Sequence, residues 1–180
     1  WKLGTRLEWR RLDTPASGSS AQVEQDSWLH TVTVARKLDR DWTLLARNHL
    51  LRTAYNDRGD VLQNRAQIGL AWRDTDTNRV NALGKLEFKR ESDASNASTG
   101  TLATRAIIAS AHADWHPSRP WWITGRIAGK WQSDQFEQGL RSSFRAQMLS
   151  GRLVYDITEH WDLGLAAALQ TGQNGARQHA

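Results

Sequence analysis

Cysteine is absent from the 180 residues, which excludes a disulfide framework and any thiolate metal site. Proline occurs three times, and no uninterrupted apolar run approaches the roughly 18 residues of a helical membrane span. A transmembrane helix is therefore excluded. The mean hydropathy is −0.65, which indicates a water-soluble protein only if membranes are crossed by helices. A membrane strand needs apolar side chains at alternate positions alone, so its mean hydropathy stays low. No charged n-region followed by an apolar h-region opens the chain, so a signal-peptide pattern is missing. No Gly-rich phosphate loop, nucleophile elbow or zincin helix occurs. The residues therefore support neither an enzyme nor a cofactor. Lys plus Arg number 24 against 19 Asp plus Glu, a net charge of +5. The excess is spread along the chain, so no nucleic-acid partner is expected. Phe (three) and Tyr (two) are scarce, whereas Trp occurs ten times.

What is present is period two. In "KLGTRLEWRRL", Leu3, Thr5, Leu7 and Trp9 alternate with Lys2, Gly4, Arg6, Glu8 and Arg10. "NRAQIGLAWR" alternates Ala66, Ile68, Leu70 and Trp72 with polar or small residues, and "VNALGKLEFKR" does so with Val80, Ala82, Gly84, Leu86 and Phe88. "WWITGRIAGKW", "LSGRLVYDI" and "WDLGLAAAL" repeat the pattern. Such alternation predicts strands with one apolar and one polar face. Two stretches break it. His30 and Arg36 fall in phase with Val32 and Val34, and Asn48 falls in phase with Leu44 and Leu50.

The pattern predicts about nine strands, near 2–12, 27–38, 42–54, 61–73, 79–91, 103–115, 121–132, 143–157 and 161–171. Strands of this length exceed the roughly 5–6 residues of ordinary globular strands. They match the roughly 9–11 of a tilted membrane strand. The connections alternate. "DRD", "DTDTN", "HPSRP" and "TEH" are short; "DTPASGSSAQVEQD", "SDASNASTGTL" and "DQFEQGLRSS" are longer, and "YNDRGD" is intermediate. Short turns at one end and long loops at the other characterise an outer-membrane barrel with periplasmic short turns. The expected fold is thus all-β: an antiparallel up-and-down meander, 1–180 forming one incomplete barrel module. The first residues already alternate and "QTGQNGARQHA" reads as a loop. The expectation is therefore a fragment whose remaining strands come from the same longer chain.

Tryptophan placement fits this reading. An indole has an apolar body and an N–H that prefers water, so it settles at the membrane–water interface. Trp42, Trp121 and Trp161 start strands beside short turns, Trp115 ends one, and Trp72 lies close to another. These five would form a periplasmic girdle. Trp9, Trp28 and Trp131 lie near the longer loops and suit the outer girdle. The alternative is a set of buried tryptophans in a soluble sandwich.

The segment "AWRDTDTNRVNALGKLEF", 71–88, resembles a strand–turn–strand unit of the C-terminal β-barrel of large proteobacterial outer-membrane and surface proteins. In that unit an aromatic-Arg pair precedes an Asp/Asn-rich turn, then Arg, an aliphatic residue and Asn-Ala-Leu. "HWDLGL" and "DWTLLA" resemble its other hairpins. The resemblance implies barrel architecture, outer-membrane lipid as a partner and a bacterial outer-membrane location. It implies no defined activity. The further strands and terminal aromatic residue usual in that family are absent here.

Smaller motifs read as structure. His112 and His116 are four apart, but on a strand and turn rather than a helix. "DTDTN" lacks the Gly and distant Glu of a calcium loop. The "RGD" at 58–60 reads as a turn that uses Gly59 for positive φ, against an adhesion tripeptide. "NAS" at 96–98 matches a glycosylation sequon. No metal ligand set is expected. Function is therefore sought on the polar face, where Lys2, Arg6, Glu8, Arg10, Arg47, Lys85, Glu87, Arg126, Lys130, Arg152 and Asp162 are the lumen candidates. These charges either pair off in a solvated lumen or form a basic pore for anions or acidic saccharides. Three functional classes remain: an anchor or translocator module of a larger surface protein, a porin-like channel, and a soluble β-rich binding domain.

Overall fold

The computed structural model describes residues 1–15, 22–94, 101–136 and 139–178. Nine strands follow one another: β1 Lys2–Thr14, β2 Val23–Lys37, β3 Trp42–Tyr55, β4 Val61–Arg73, β5 Val80–Asp93, β6 Thr101–Trp115, β7 Trp121–Phe136, β8 Leu140–Asp156 and β9 Asp162–Gln178. They form one sheet in the order β1 to β9, each antiparallel to the next. No pairing joins β1 to β9 among the described residues. Among the described residues all nine strands belong to this one sheet, so they form no two-sheet sandwich.

The alternation explains the strands, and their ends show where it fails as a guide. "QTGQNGARQ" is not a loop: β9 runs to Gln178 and pairs with β8 back to Leu140. Likewise β1 reaches Thr14, β2 starts at Val23, and β7 reaches Phe136. The segments between strands where long loops were expected are therefore 15–22, 94–100 and 137–139, and the intermediate one is 56–60, against 38–41, 74–79, 116–120 and 157–161 at the other end. The difference between the two ends persists as strand overhang. At the short-turn end strands begin or stop at Trp42, Arg73, Val80, Trp115 and Trp121. At the opposite end β5 runs past Phe88 to Asp93 and β9 past Leu169 to Gln178, because backbone ladder bonds form whether or not the side chains are apolar. The "NAS" motif at 96–98 lies outside the described residues.

The short turns are built from side-chain caps. Asp39 Oδ1 accepts from the amides of Asp41 and Trp42, each at 2.8 Å. Asp74 Oδ1 accepts from Asp76 and Thr77 at 3.1 and 3.0 Å, an Asx turn, with Asn78 at φ 52°. An Arg40–Asp76 ion pair and a Thr75–Asp41 hydrogen bond tie these two turns together. Gly59 does not adopt the expected positive φ; among the described glycines only Gly139 does. Its lack of a side chain serves a close approach instead. A Cβ there would stand 2.5 Å from the Ala94 carbonyl oxygen.

Candidate membrane-facing band and polar face

Residues opposed across an antiparallel pair share a face, so the register sorts every side chain. One row runs Arg47, Gln67, Glu87, Ile108, Lys130. The adjacent residues give Ala46, Ile68, Leu86, Ala109, Gly129 on the other face. All eleven charged lumen candidates fall on the first face. Seven of the eight girdle tryptophans lie on the second, and Trp161 stands in the turn that leads into β9. The five buried residues among those described, Thr31, Thr53, Gly69, Glu87 and Ala106, all belong to the polar face. The apolar face is exposed: Ile68 is 50%, Ile127 58% and Leu149 58% accessible. The tryptophans are surface groups, not a core.

The apolar residues form an oblique band. The row through Trp42 passes Trp72, Ala82, Ala113, Gly125 and Gly151 and reaches β9 at Ala167. Trp115 lies two residues below that row, Trp121 four and Trp161 six. The row through Trp9 passes Trp28 and reaches Gln135 in β7, where Trp131 lies four residues below it. The Trp42 edge thus slips by about one residue per strand and the Trp9 edge by about two residues per three strands, in the same direction. With about 3.3 Å per residue and about 4.8 Å between strands, the first edge gives a tilt of about 35° to the band, at the edge of the 35–45° usual for barrels, and the second about 25°. The width follows. Trp121 to Trp131 and Trp161 to Leu169 project to about 22–27 Å, against about 25 Å for a membrane barrel's apolar belt.

Aromatic pairs mark the rims. Trp9 and Trp28 are opposed with ring centroids 6.1 Å apart, Trp42 and Trp72 at 6.3 Å, and Trp121 and Tyr155 at 4.5 Å. The two breaks in alternation are hydrogen-bonded within the band. Asn48 donates to Asn64 at 3.2 Å, and His30 meets Thr5 at 3.2 Å. Arg36 stacks on Trp1 at 4.4 Å. Trp122 points to the polar face and packs on His116 at 4.6 Å.

On the polar face charges pair in rows. Glu87 accepts from Arg65 at 2.7 Å, Gln67 at 2.8 Å and Lys85 at 3.4 Å. Glu91 takes Lys89 at 2.9 Å, and Glu8 takes Arg6 at 2.7 Å and Arg10 at 3.7 Å. Asp114 meets His112 at 3.1 Å and Thr124 at 2.9 Å, so His112 and His116 have separate partners. Lys130 stands over Phe144 at 5.6 Å. Lys2, Arg47, Arg126 and Arg152 have no carboxylate partner among the described residues. Outside the band, the Thr77 hydroxyl and amide hold the Asp74 carboxyl below the usual aspartate range. In the 58–60 tripeptide, Arg58 pairs with Asp57 at 2.9 Å, which lowers that carboxyl, and Asp60 takes Arg52 at 2.8 Å.

Sequence reasoning missed a set of arginines on the apolar face, one step beyond the band's overhang edge: Arg52, Arg90, Arg105 and Arg145. They are in phase with Leu50, Phe88, Ile107 and Leu149, and that phase was the available signal. No family model, curated protein or solved structure is similar to this chain.

Proposed function

We propose that the chain is the membrane-spanning part of an outer-membrane β-barrel that anchors or translocates a larger surface protein. The observation that carries the reading is the oblique band. Its width, its slip of about two-thirds to one residue per strand and its tryptophan rims are three separate requirements of a tilted membrane strand. Burial confined to the polar face is a fourth, because a barrel crowds the side chains that point inward. In lipid, unpaired strand edges cost several kcal/mol per backbone group, so β1 and β9 need partners. Further strands of the same longer chain would supply them. Cell fractionation with a carbonate wash tests the reading: the protein should stay in the outer-membrane pellet, and release into the soluble periplasm refutes it.

The unpaired Arg47, Arg126 and Arg152 favour a channel as a further property of the same barrel. Reversal potentials in a planar bilayer under a salt gradient should then show weak anion preference; cation preference refutes the basic pore. A different observation favours a soluble lipid carrier. An open groove of about 1000 Å³, with Leu70, Leu86, Ile127 and Leu149 among its lining residues, crosses the apolar face. A carrier would need neither tryptophan rims nor the slip, and it would be released by the carbonate wash.

A further inference from the structure

We propose that Arg90 and Arg105 form a binding site for the phosphate of an anionic lipid headgroup, at the overhang rim of the apolar band. The proposal rests on the membrane-spanning reading above. Arg90 and Arg105 are opposed across β5 and β6, both exposed. Like charges directly opposite on neighbouring strands repel. No ion pair among the described residues includes either one. Two other cations of this rim are paired, whereas Arg145, like Arg90 and Arg105, is in no ion pair among the described residues. Arg11 is held by Asp13 and Glu24 at 3.2 and 2.8 Å, and Arg52 by Asp60.

The imbalance extends along the face. From β5 to β8 the apolar face carries Arg90, Arg105, Arg141 and Arg145 and no carboxylate. The acids of these strands, Glu87, Glu91, Asp93, Asp114, Asp134 and Asp156, all lie on the polar face. A missing counter-charge on this side must come from outside the described residues. What lies beneath says where from. One row into the band, Phe88 and Ile107 are opposed and 44% and 51% exposed, with Trp131 next in the row and Arg145 beyond it. A cationic pair directly above exposed apolar side chains matches a phospholipid, with its phosphate level with the guanidinium groups and its acyl chains below. Guanidinium forks suit phosphate oxygens bidentately. Asn64 and Ser133, which face Arg90 and Arg105 from β4 and β7, add neutral donors. Free phosphate would find the same cations but would leave Phe88 and Ile107 uncovered.

The test is the lipid preference of the full chain in vesicles, read as tryptophan quenching by brominated phosphatidylglycerol against brominated phosphatidylcholine. The chain should prefer the anionic lipid. The double variant Arg90→Gln, Arg105→Gln should lose about fivefold in preference per arginine, roughly 25-fold in all. Arg→Lys at both positions should recover part of it. The polar-face variant Arg126→Gln, Arg152→Gln should leave it unchanged, and so should excess inorganic phosphate. Equal quenching by both lipids overturns the site and leaves the membrane reading intact. A preference abolished by inorganic phosphate, or lost equally in the polar-face variant, also overturns the site. Absence of quenching by either lipid overturns both readings.

Discussion

The oblique band makes a depth-resolved prediction at three positions of one hairpin. Ile68 sits four residues from Trp72 at one rim and four from Asn64 at the other. At about 3.3 Å per residue and a tilt of about 35°, that is about 11 Å from each edge, the middle of the band. Its cross-strand neighbours are Ala46 and Leu86, so an arginine at 68 would find no carboxylate opposite. Ile68→Arg should therefore cost about 2–4 kcal/mol, the midplane value for a lipid-facing cation. That is a shift of roughly 30- to 1000-fold in the folding equilibrium. Phe88→Arg, on the same face at the rim beside Arg90, should cost only about 0–1 kcal/mol. Gln67→Arg, the chain neighbour of Ile68 on the polar face, still donates to Glu87 and should be nearly neutral. Urea titration of the protein refolded into phosphatidylcholine vesicles, with heat-modifiability on gels as the folding readout, gives all three. An exposed face in water predicts the reverse, since surface substitutions stay within about 0.5 kcal/mol. Equal costs at 67, 68 and 88 would refute the face assignment and the depth scale together.

Glu87→Gln should cost about 1.5–3 kcal/mol, the range for charge-assisted hydrogen bonds, because Arg65 and Lys85 lose their shared carboxylate; a cycle with Arg65→Gln that shows no coupling would refute the pairing. Gly59→Ala should cost about 1–3 kcal/mol as the 56–60 segment moves off Ala94, and an unchanged urea midpoint would contradict that close approach. Asp74 titrates below its unfolded value of about 3.9, so its turn is stabilised above that pH and loosens as pH falls through the lower folded value. Exchange of the Asp76 and Thr77 amides should quicken only in acid, with Asp74→Asn abolishing the step; quickening that begins near neutrality would refute the Asx turn. Removing Trp42 and Trp72 singly and together should give a coupling of about 0.5–1.5 kcal/mol, and additive losses would mean that the rings act as separate anchors.

Strand number and facing were legible because one face carries apolar side chains and the other polar ones. Where both faces are polar, alternation has no contrast, and "QTGQNGARQ" gives no period although it pairs fully with β8. The same blindness hid the ends of β1, β2 and β7. Gly59 was misjudged because its neighbour Ala94 is brought close by pairing, not by sequence. The slip between strands was illegible for a related reason: it belongs to pairs, and no single strand carries it. Arg90 was visible as a polar residue after Phe88, but its position opposite Arg105 was not.

A single sheet with five buried residues among those described has no interior of its own to hold it together. Its polar face is held by ion pairs and hydrogen bonds, which in water contribute about 0–1 kcal/mol per exposed pair. The apolar face contributes only where something covers it, because hydrophobic stabilisation scales with the area removed from water. On the proposed membrane reading, lipid would be the second layer of the fold, and stability would belong to the chain and bilayer together. The same logic applies at the edges. Antiparallel neighbours reverse at every step, so β1 and β9 run in the same direction. Direct pairing between them would be parallel, whereas closure through antiparallel pairs alone takes an odd number of additional strands. Each added strand would continue the slip of about two-thirds to one residue, because a band that wraps a closed barrel at constant height must return to its own row.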